Sequence, residues 1–268
     1  MPLAFSWTTF DVGHRLPAGW QQDIMATAAD ADCREFPRTP ILSREAEQVR
    51  HIPRGRVHAD RVRRALPWLY ELYRGYFLQL ARAVRAESVL PARDDRYGIV
   101  LNIQRGTGMR FECHVDSNPL TGLLFCTDQP AGTGGELVFG HDSAAADLDA
   151  VDRKCTVIRP RAGHLIFFDG RAHPHYARPL SSGSGMRVVA VMNFYTGSCP
   201  ESTRPPGLNR HLFGPELGDN LTASHGVRQR SRGPCVADGG ATEDGVAVVE
   251  DGGLAAGHAA GRLVQAKA

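Results

Sequence analysis

The chain has 268 residues, of which 42% are apolar and 22% charged, and its formal net charge is +2. That length buries a sizeable core in one large domain or a domain with a helical appendage. The near-neutral balance gives neither a nucleic-acid footprint nor a sink for acidic substrates. Six cysteines occur with no CxxC pair, which argues against a zinc ribbon or thioredoxin-type site and for free thiols in a reducing compartment. No run of about 18 apolar residues exists, and the first fifteen residues lack the basic-then-apolar pattern of a secretory leader. The expectation is a cytoplasmic protein that spans no membrane, with no nucleic-acid partner.

Residues 1–90 read mainly as helix, forming a helical N-terminal support region. A modest helix is expected over 21–31. Another is expected after Ser43, whose hydroxyl can cap a free amide, with Glu45 and Glu47 near the positive end of the dipole. The strongest helical pattern runs over 58–88. Leu66, Leu69, Leu72, Tyr73, Phe77, Leu80 and Val84 recur at steps of three and four, and Pro67 marks a helix start or a kink. The basic run 50–64 reads as a solvated loop and helix face.

After Pro91 short β-branched runs alternate with Gly, Pro and Asp turns. Strands are predicted over 97–104, 110–116, 121–127, 136–139, 156–159, 164–168, 175–180 and 187–195. Eight short strands with no helices between them point to a barrel or two-sheet jelly roll rather than a parallel βαβ sheet. The fold expectation is therefore mostly β with N-terminal helices, a double-stranded β-helix core spanning 91–200. Residues 201–213, including His211 and Phe213, are expected to pack back on it. Residues 214–268 are rich in Gly, Ala and charge and read as a disordered tail.

One constellation carries chemistry. On a strand, residues two apart share a face, so His114 and Asp116 can reach one metal, with Glu112 pointing the same way. A second histidine from a later strand would complete a facial two-histidine, one-carboxylate set that leaves three adjacent positions open, the arrangement of non-haem iron(II) oxygenases. His173 and His175 both qualify, and parity does not choose between them. His14, His51, His58, His225 and His258 lie outside the strand pattern. His141 and His164 lie within it, but His141 and Asp142 are adjacent and would face opposite sides. Counting by two along the last strand places Arg187, Val189, Val191, Asn193 and Tyr195 on one face, and a buried arginine there needs an anionic partner.

These motifs resemble the prolyl-hydroxylase-like superfamily of iron(II)/2-oxoglutarate dioxygenases over about residues 97–197. The matching elements are His114-x-Asp116, the turn Gly134-Gly135-Glu136-Leu137, His175-x-x-x-Pro179-Leu180 and Arg187, after a Gly106-Thr107-Gly108 bend. The resemblance implies Fe(II) bound by His114, Asp116 and His175, with His173 the alternative ligand. It implies 2-oxoglutarate as co-substrate with O2, its distal carboxylate gripped by Arg187 through paired hydrogen bonds. Many relatives carry Ser or Thr where Val189 stands, so a second carboxylate contact must come from Asn102, Tyr97 or Gln104. Asp116 stands where related halogenases have Gly or Ala, which favours hydroxylation, desaturation or ring closure over chlorination. A weaker likeness to the amino-acid hydroxylase and halogenase branch, together with polar Asn193, Tyr195, Ser117, Asn118, Arg110 and Glu112 near the metal, points to a polar small-molecule substrate such as an amino acid or natural-product intermediate. Arg54 and Arg56 are candidates to cover the mouth of the site. A peptide hydroxylase and a non-catalytic cupin-like metal protein are the competing readings, and a homodimer is left open.

Overall fold

The computed structural model describes residues 6–208, 212 and 263–267. The chain opens with β1 (Ser6–Asp11), α1 (Trp20–Ala29), β2 (Asp32–Pro37) and β3 (His51–Val57). Three short helices follow, α2 (Ala59–Ala65), α3 (Pro67–Arg74) and α4 (Tyr76–Ala83), then β4 (Val89–Pro91) and α5 (Asp95–Gly98). The core strands are β5 (Ile99–Arg105), β6 (Phe111–His114), β7 (Leu120–Phe125) and β8 (Leu137–Gly140). After α6 (Leu148–Arg153) come β9 (Cys155–Ile158), β10 (His164–Phe168), β11 (His175–Ala177) and β12 (Met186–Thr196), and β13 is Leu263–Lys267.

Two antiparallel sheets face each other. The larger runs β13-β1-β10-β7-β12-β5-β3-β2, with β4 also paired to β12, and the smaller runs β6-β11-β8-β9. Alternation along each large-sheet strand sorts its side chains. Val188, Ala190, Met192 and Phe194 of β12 join Leu101 and Ile103 of β5 and Leu124 of β7 beneath the helices, where Leu66, Leu69, Tyr73 and Phe77 are fully buried. The opposite phase, Leu123, Phe125, Ile166, Phe168 and Val189, meets Leu137 and Phe139 of the smaller sheet. Arg187 and Asn193 follow this inner phase, as parity requires. The jelly-roll core with helical support is thus the observed architecture.

The N-terminal third departs from expectation in three ways. Residues 1–90 are not mainly helical: β1, β2, β3 and β4 all belong to the large sheet. The long helix over 58–88 is three helices. Pro67 starts the second at the position a proline tolerates best, and Gly75 separates the second from the third. No helix follows Ser43. Its hydroxyl accepts the amide of Glu45 only two residues on, in a turn, and the segment runs along β6 instead. Arg44 N–H donates to Cys113 O at 2.7 Å and Val115 N–H to Leu42 O at 2.9 Å. The Glu45 carboxylate accepts the Cys113 amide at 2.8 Å and pairs with Arg110. Local capping chemistry lost to β pairing.

The described cysteines are all free thiols, and Cys235 lies outside the described residues. Leu208 and Leu212 pack with Ala92, Tyr97 and Tyr195, so the chain after the last core strand returns to the barrel. His211 and Phe213 lie outside the described residues. Of the expected tail, only β13 is described, as a strand beside β1. Among the described residues no helix is long and apolar enough to cross a membrane.

Tyr73 fastens the helical layer to the sheet. Its hydroxyl donates to Asn193 O at 2.8 Å and accepts from Ala92 N at 2.9 Å. Tyr73→Phe leaves a buried amide without its acceptor and is expected to cost about 1–3 kcal/mol, read as a lowered midpoint in chemical denaturation.

Candidate metal centre

His114 ends β6 and His175 begins β11, and the two are opposite each other in the antiparallel register. Their rings lie 4.6 Å apart between centroids. Asp116 follows two residues after His114, and its amide donates to Gly170 O at 3.0 Å. The Asp116 Oδ1 atom lies 3.4 Å from His114 Nε2 and 3.6 Å from His175 Nε2. One ligand atom from each residue falls within 4.8 Å of the others. Neighbouring ligands each about 2.1 Å from a metal lie about 3 Å apart, so a small contraction around an ion completes the set.

The surroundings preset each ligand. His114 Nδ1 bonds Glu112 O at 2.7 Å and His175 Nδ1 bonds His173 O at 3.0 Å. A carbonyl accepts only, so both Nδ1 atoms carry a proton toward the backbone and both Nε2 atoms are turned toward Asp116. Thr121 donates to Asp116 Oδ2 at 2.6 Å, and Asn118 donates to Thr121 at 2.8 Å. This fixes one carboxylate oxygen and leaves Oδ1 toward the imidazoles. Phe139 and Phe168 flank the His175 ring at 5.2 and 5.3 Å.

Burial and charge act differently on the three groups. Burial pulls the His175 pKa down to about 4 against the attraction of Asp116, so its ring is neutral near pH 7. Burial pushes the Asp116 carboxyl up, but the charge of His175 and the hydrogen bond from His114 outweigh that and hold it near 2. Burial also disfavours a charged His114, yet its hydrogen bond and attraction to Asp116 raise its pKa.

Two adjoining cavities meet at this cluster. The inner one is lined by His114, Asp116, His175, Thr121, Asn102 and Arg187 among others. Arg187 is 2% exposed, its Nε has no partner, and among the described residues no carboxylate faces it. Burial alone lowers its pKa to about 10. Gly135, at φ +77°, lets the turn close over its shaft: a Cβ there would sit 3.1 Å from Arg187 Cδ. The outer cavity shares His114, Asp116 and Asn102 and adds Glu112, Ser117, Asn118, Asn193, Tyr97 and three arginines.

The sequence candidates divide accordingly. Asn102 lines both cavities with Oδ1 unpartnered. Tyr97 lines only the outer one, and Gln104 lines neither, its amide spent on the carbonyls of Met109 and Arg178. Asn193 donates to Tyr97 O at 2.6 Å from the outer wall. Ser117 and Asn118 sit beside the metal cluster in the outer cavity. Glu112 accepts from Thr39 N and faces Arg54. Arg110 is held by Glu45, and Tyr195 packs with Tyr97 and Leu208, so neither lines a cavity. His173 turns away, bonding Gly140 O through Nδ1 at 3.0 Å, and is not in the three-residue cluster.

Several residues went unnoticed in the sequence. Thr121 was readable, being a polar residue in phase with inward Leu123 and Phe125. Gly170 was not: its Cα approaches so closely that a Cβ would lie 2.0 Å from Asp116 Oδ2. Arg54 and Arg56, which lie in the basic run expected to be solvated but are also candidates to cover the mouth, do line the outer cavity, with Arg54 6% exposed.

Residues 98–195 match the family model described as the 2OG-Fe(II) oxygenase superfamily. No curated protein matches the sequence. Among solved structures, AviO1 from Streptomyces viridochromogenes Tue57 superposes with a TM-score of 0.53 at 17% identity, over 75% of this chain and 94% of that one. The epimerase SnoN, solved in complex with Fe3+, alpha ketoglutarate and nogalamycin RO, gives 0.51 at 13% identity over 72% and 80%. The carbocyclase SnoK from nogalamycin biosynthesis gives 0.50 at 13% over 71% and 79%. At these identities the likeness establishes a shared fold.

Thr121→Val removes the hydrogen bond that orients Asp116 while keeping the side-chain volume. It is expected to weaken divalent-metal affinity about 10–100-fold in calorimetric titration with Ni(II), with an unchanged circular dichroism spectrum.

Proposed function

We propose, on the match of residues 98–195 to the 2OG-Fe(II) oxygenase superfamily, that the chain is an oxidoreductase working with Fe(II) and 2-oxoglutarate, that His114, Asp116 and His175 hold the iron and that Arg187 anchors the co-substrate for hydroxylation of a polar small molecule. The observation that carries this reading is the buried, partnerless guanidinium of Arg187 in the same cavity as the three ligands. A buried unpaired cation costs several kcal/mol, and an entering dicarboxylate offsets that cost by supplying the missing anion. Asn102, with its free Oδ1 on the same wall, is the neighbouring polar contact.

When bound, the iron and co-substrate supply the oxidising power, and the protein's part is placement and exclusion. The Nδ1 protons of His114 and His175, committed to backbone carbonyls, keep both Nε2 atoms available. Thr121 keeps Asp116 to one free oxygen. Phe139, Phe168 and Leu137 keep water from the inner chamber. The outer cavity shares His114 and Asp116 with the inner one but not Arg187 or His175, so a substrate there would reach the metal while the co-substrate occupies the inner chamber. Asp116 retains a carboxylate ligand, which favours oxygen transfer over halide transfer. A natural-product intermediate as substrate is consistent with the neighbours SnoN, an epimerase, and SnoK, a carbocyclase, both from nogalamycin biosynthesis.

Arg187→Gln is expected to raise the apparent KM for 2-oxoglutarate at least about tenfold, measured as succinate formed in the presence of Fe(II). Asp116→Gly is expected to abolish hydroxylation, and His173→Ala to keep iron binding where His175→Ala loses it. Full metal affinity in His175→Ala would sink the ligand assignment.

A further inference from the structure

Among the described residues, the outer cavity carries one cation more than its acids account for. Three arginines reach its wall, Arg54, Arg56 and Arg96. Arg96 is committed to Asp94, donating from Nε at 2.9 Å and from Nη2 at 2.8 Å. Arg54 lies 3.7 Å from Glu112, whose other oxygen takes the Thr39 amide. Asp116 belongs to the metal cluster. That leaves Arg56, whose Nε is buried with no partner and which has no ion pair among the described residues. Asp32 stands opposite it in the β2–β3 register, but that carboxylate is exposed and held by Arg34 at 2.7 Å. Burial, reinforced by the neighbouring charge of Arg54, lowers the Arg56 pKa to about 9.

Arg56 is also aimed. The Phe36 ring lies 5.4 Å from its guanidinium carbon and 5.0 Å from that of Arg54, backing both groups on one side. In the β3–β5 register Arg56 is paired with Asn102, which lies at the junction of the two cavities. Arg56 itself lines only the outer one. An anion at Arg56 and an anion at Arg187 are therefore two different ligands. The same cavity that holds Arg56, His114 and Asp116 also has Phe111, Tyr97 and Val191 in its wall.

We propose that the substrate is an organic anion, its carboxylate or phosphate held by Arg56 with Arg54 beside it, and its carbon skeleton lying along Phe111, Tyr97 and Val191 toward His114 and Asp116. The inference rests on the metal-site reading above, since it takes the cluster as the reacting end of the cavity. A half-buried guanidinium beside a second, buried one prefers an oxyanion to a neutral amide. Such a substrate brings its own charge compensation, which the described residues do not provide.

The test uses the anaerobic Fe(II) protein with 2-oxoglutarate and three probes: phenylacetate, phenyl phosphate and the neutral phenylacetamide. Binding is read by calorimetry and by perturbation of the visible charge-transfer band of the iron–2-oxoglutarate complex. The anions are expected to bind about tenfold or more tighter than the amide, and the better of the two identifies the headgroup. Arg56→Gln is expected to erase that ratio and Arg56→Lys to keep part of it, with circular dichroism reporting the fold of each. Equal binding of anion and amide, no binding of any probe, or an anion preference that survives Arg56→Gln overturns the proposal. Failure of 2-oxoglutarate to develop the band in the unaltered protein would instead sink the metal-site reading, while calorimetry of the probes without co-substrate still judges Arg56.

Discussion

Antiparallel registry between β6 and β11 sets the rest of the site. Because His175 is paired opposite His114, two imidazoles from segments sixty residues apart in sequence are brought within one ion's reach. The pairing leaves each Nδ1 within reach of the carbonyl two residues back, so the same strand geometry that positions the rings also fixes their tautomers. Asp116 then needs only a turn that holds it inward. Gly170 makes room for it, and Thr121 from the opposing sheet holds one of its oxygens.

The sheet that provides Thr121 has a second duty. Its inner face carries charge that a folded core would normally reject. Arg187 on β12 follows the same alternation as Val189 and Val191, which pack against the smaller sheet. The fold therefore bears the cost of one buried cation, Arg187, and carries a half-buried one, Arg56, one chamber further out. Cations retained in this way are understandable only if anions complete the chambers, since well-packed apolar residues in their place would be as stable or more so.

How much of this could be read from the sequence follows from how each segment is buried. The strands after Pro91 were legible because the inner and outer phases are both apolar or sharply different and the turns carry Gly, Pro and Asp. β2 and β3 were not. Their sequences, DCREFP and HIPRGRV, hold Pro and several charges, and only pairing with β5 makes them strands. Composition of the basic run 50–64 gave no sign that β3 turns Arg54 and Arg56 inward. Ser43 illustrates the same override: a good local cap was outbid by the edge of β6. The choice between His173 and His175 was undecidable by parity because that argument assumes both lie on the strand, whereas β11 begins only at His175, immediately after Pro174.

This division assigns the two halves of the site different origins. His114, His175, Arg187 and Asn102 on strands, and Asp116 just past β6, all lie within residues 98–195, the segment matched by the superfamily. Arg54 and Arg56 come from β3, outside that segment, joined to it only by the β3–β5 ladder, and Leu212 reaches the outer cavity from beyond the last core strand. The proposed metal and co-substrate contacts thus lie in the central jelly roll, while the outer cavity takes Arg54 and Arg56 from a strand at its edge. Exchanging β3 for a strand of other charge would change which molecules the outer cavity accepts without touching a single residue of the metal cluster. That separation gives a physical reason why one core can serve reactions on unlike substrates.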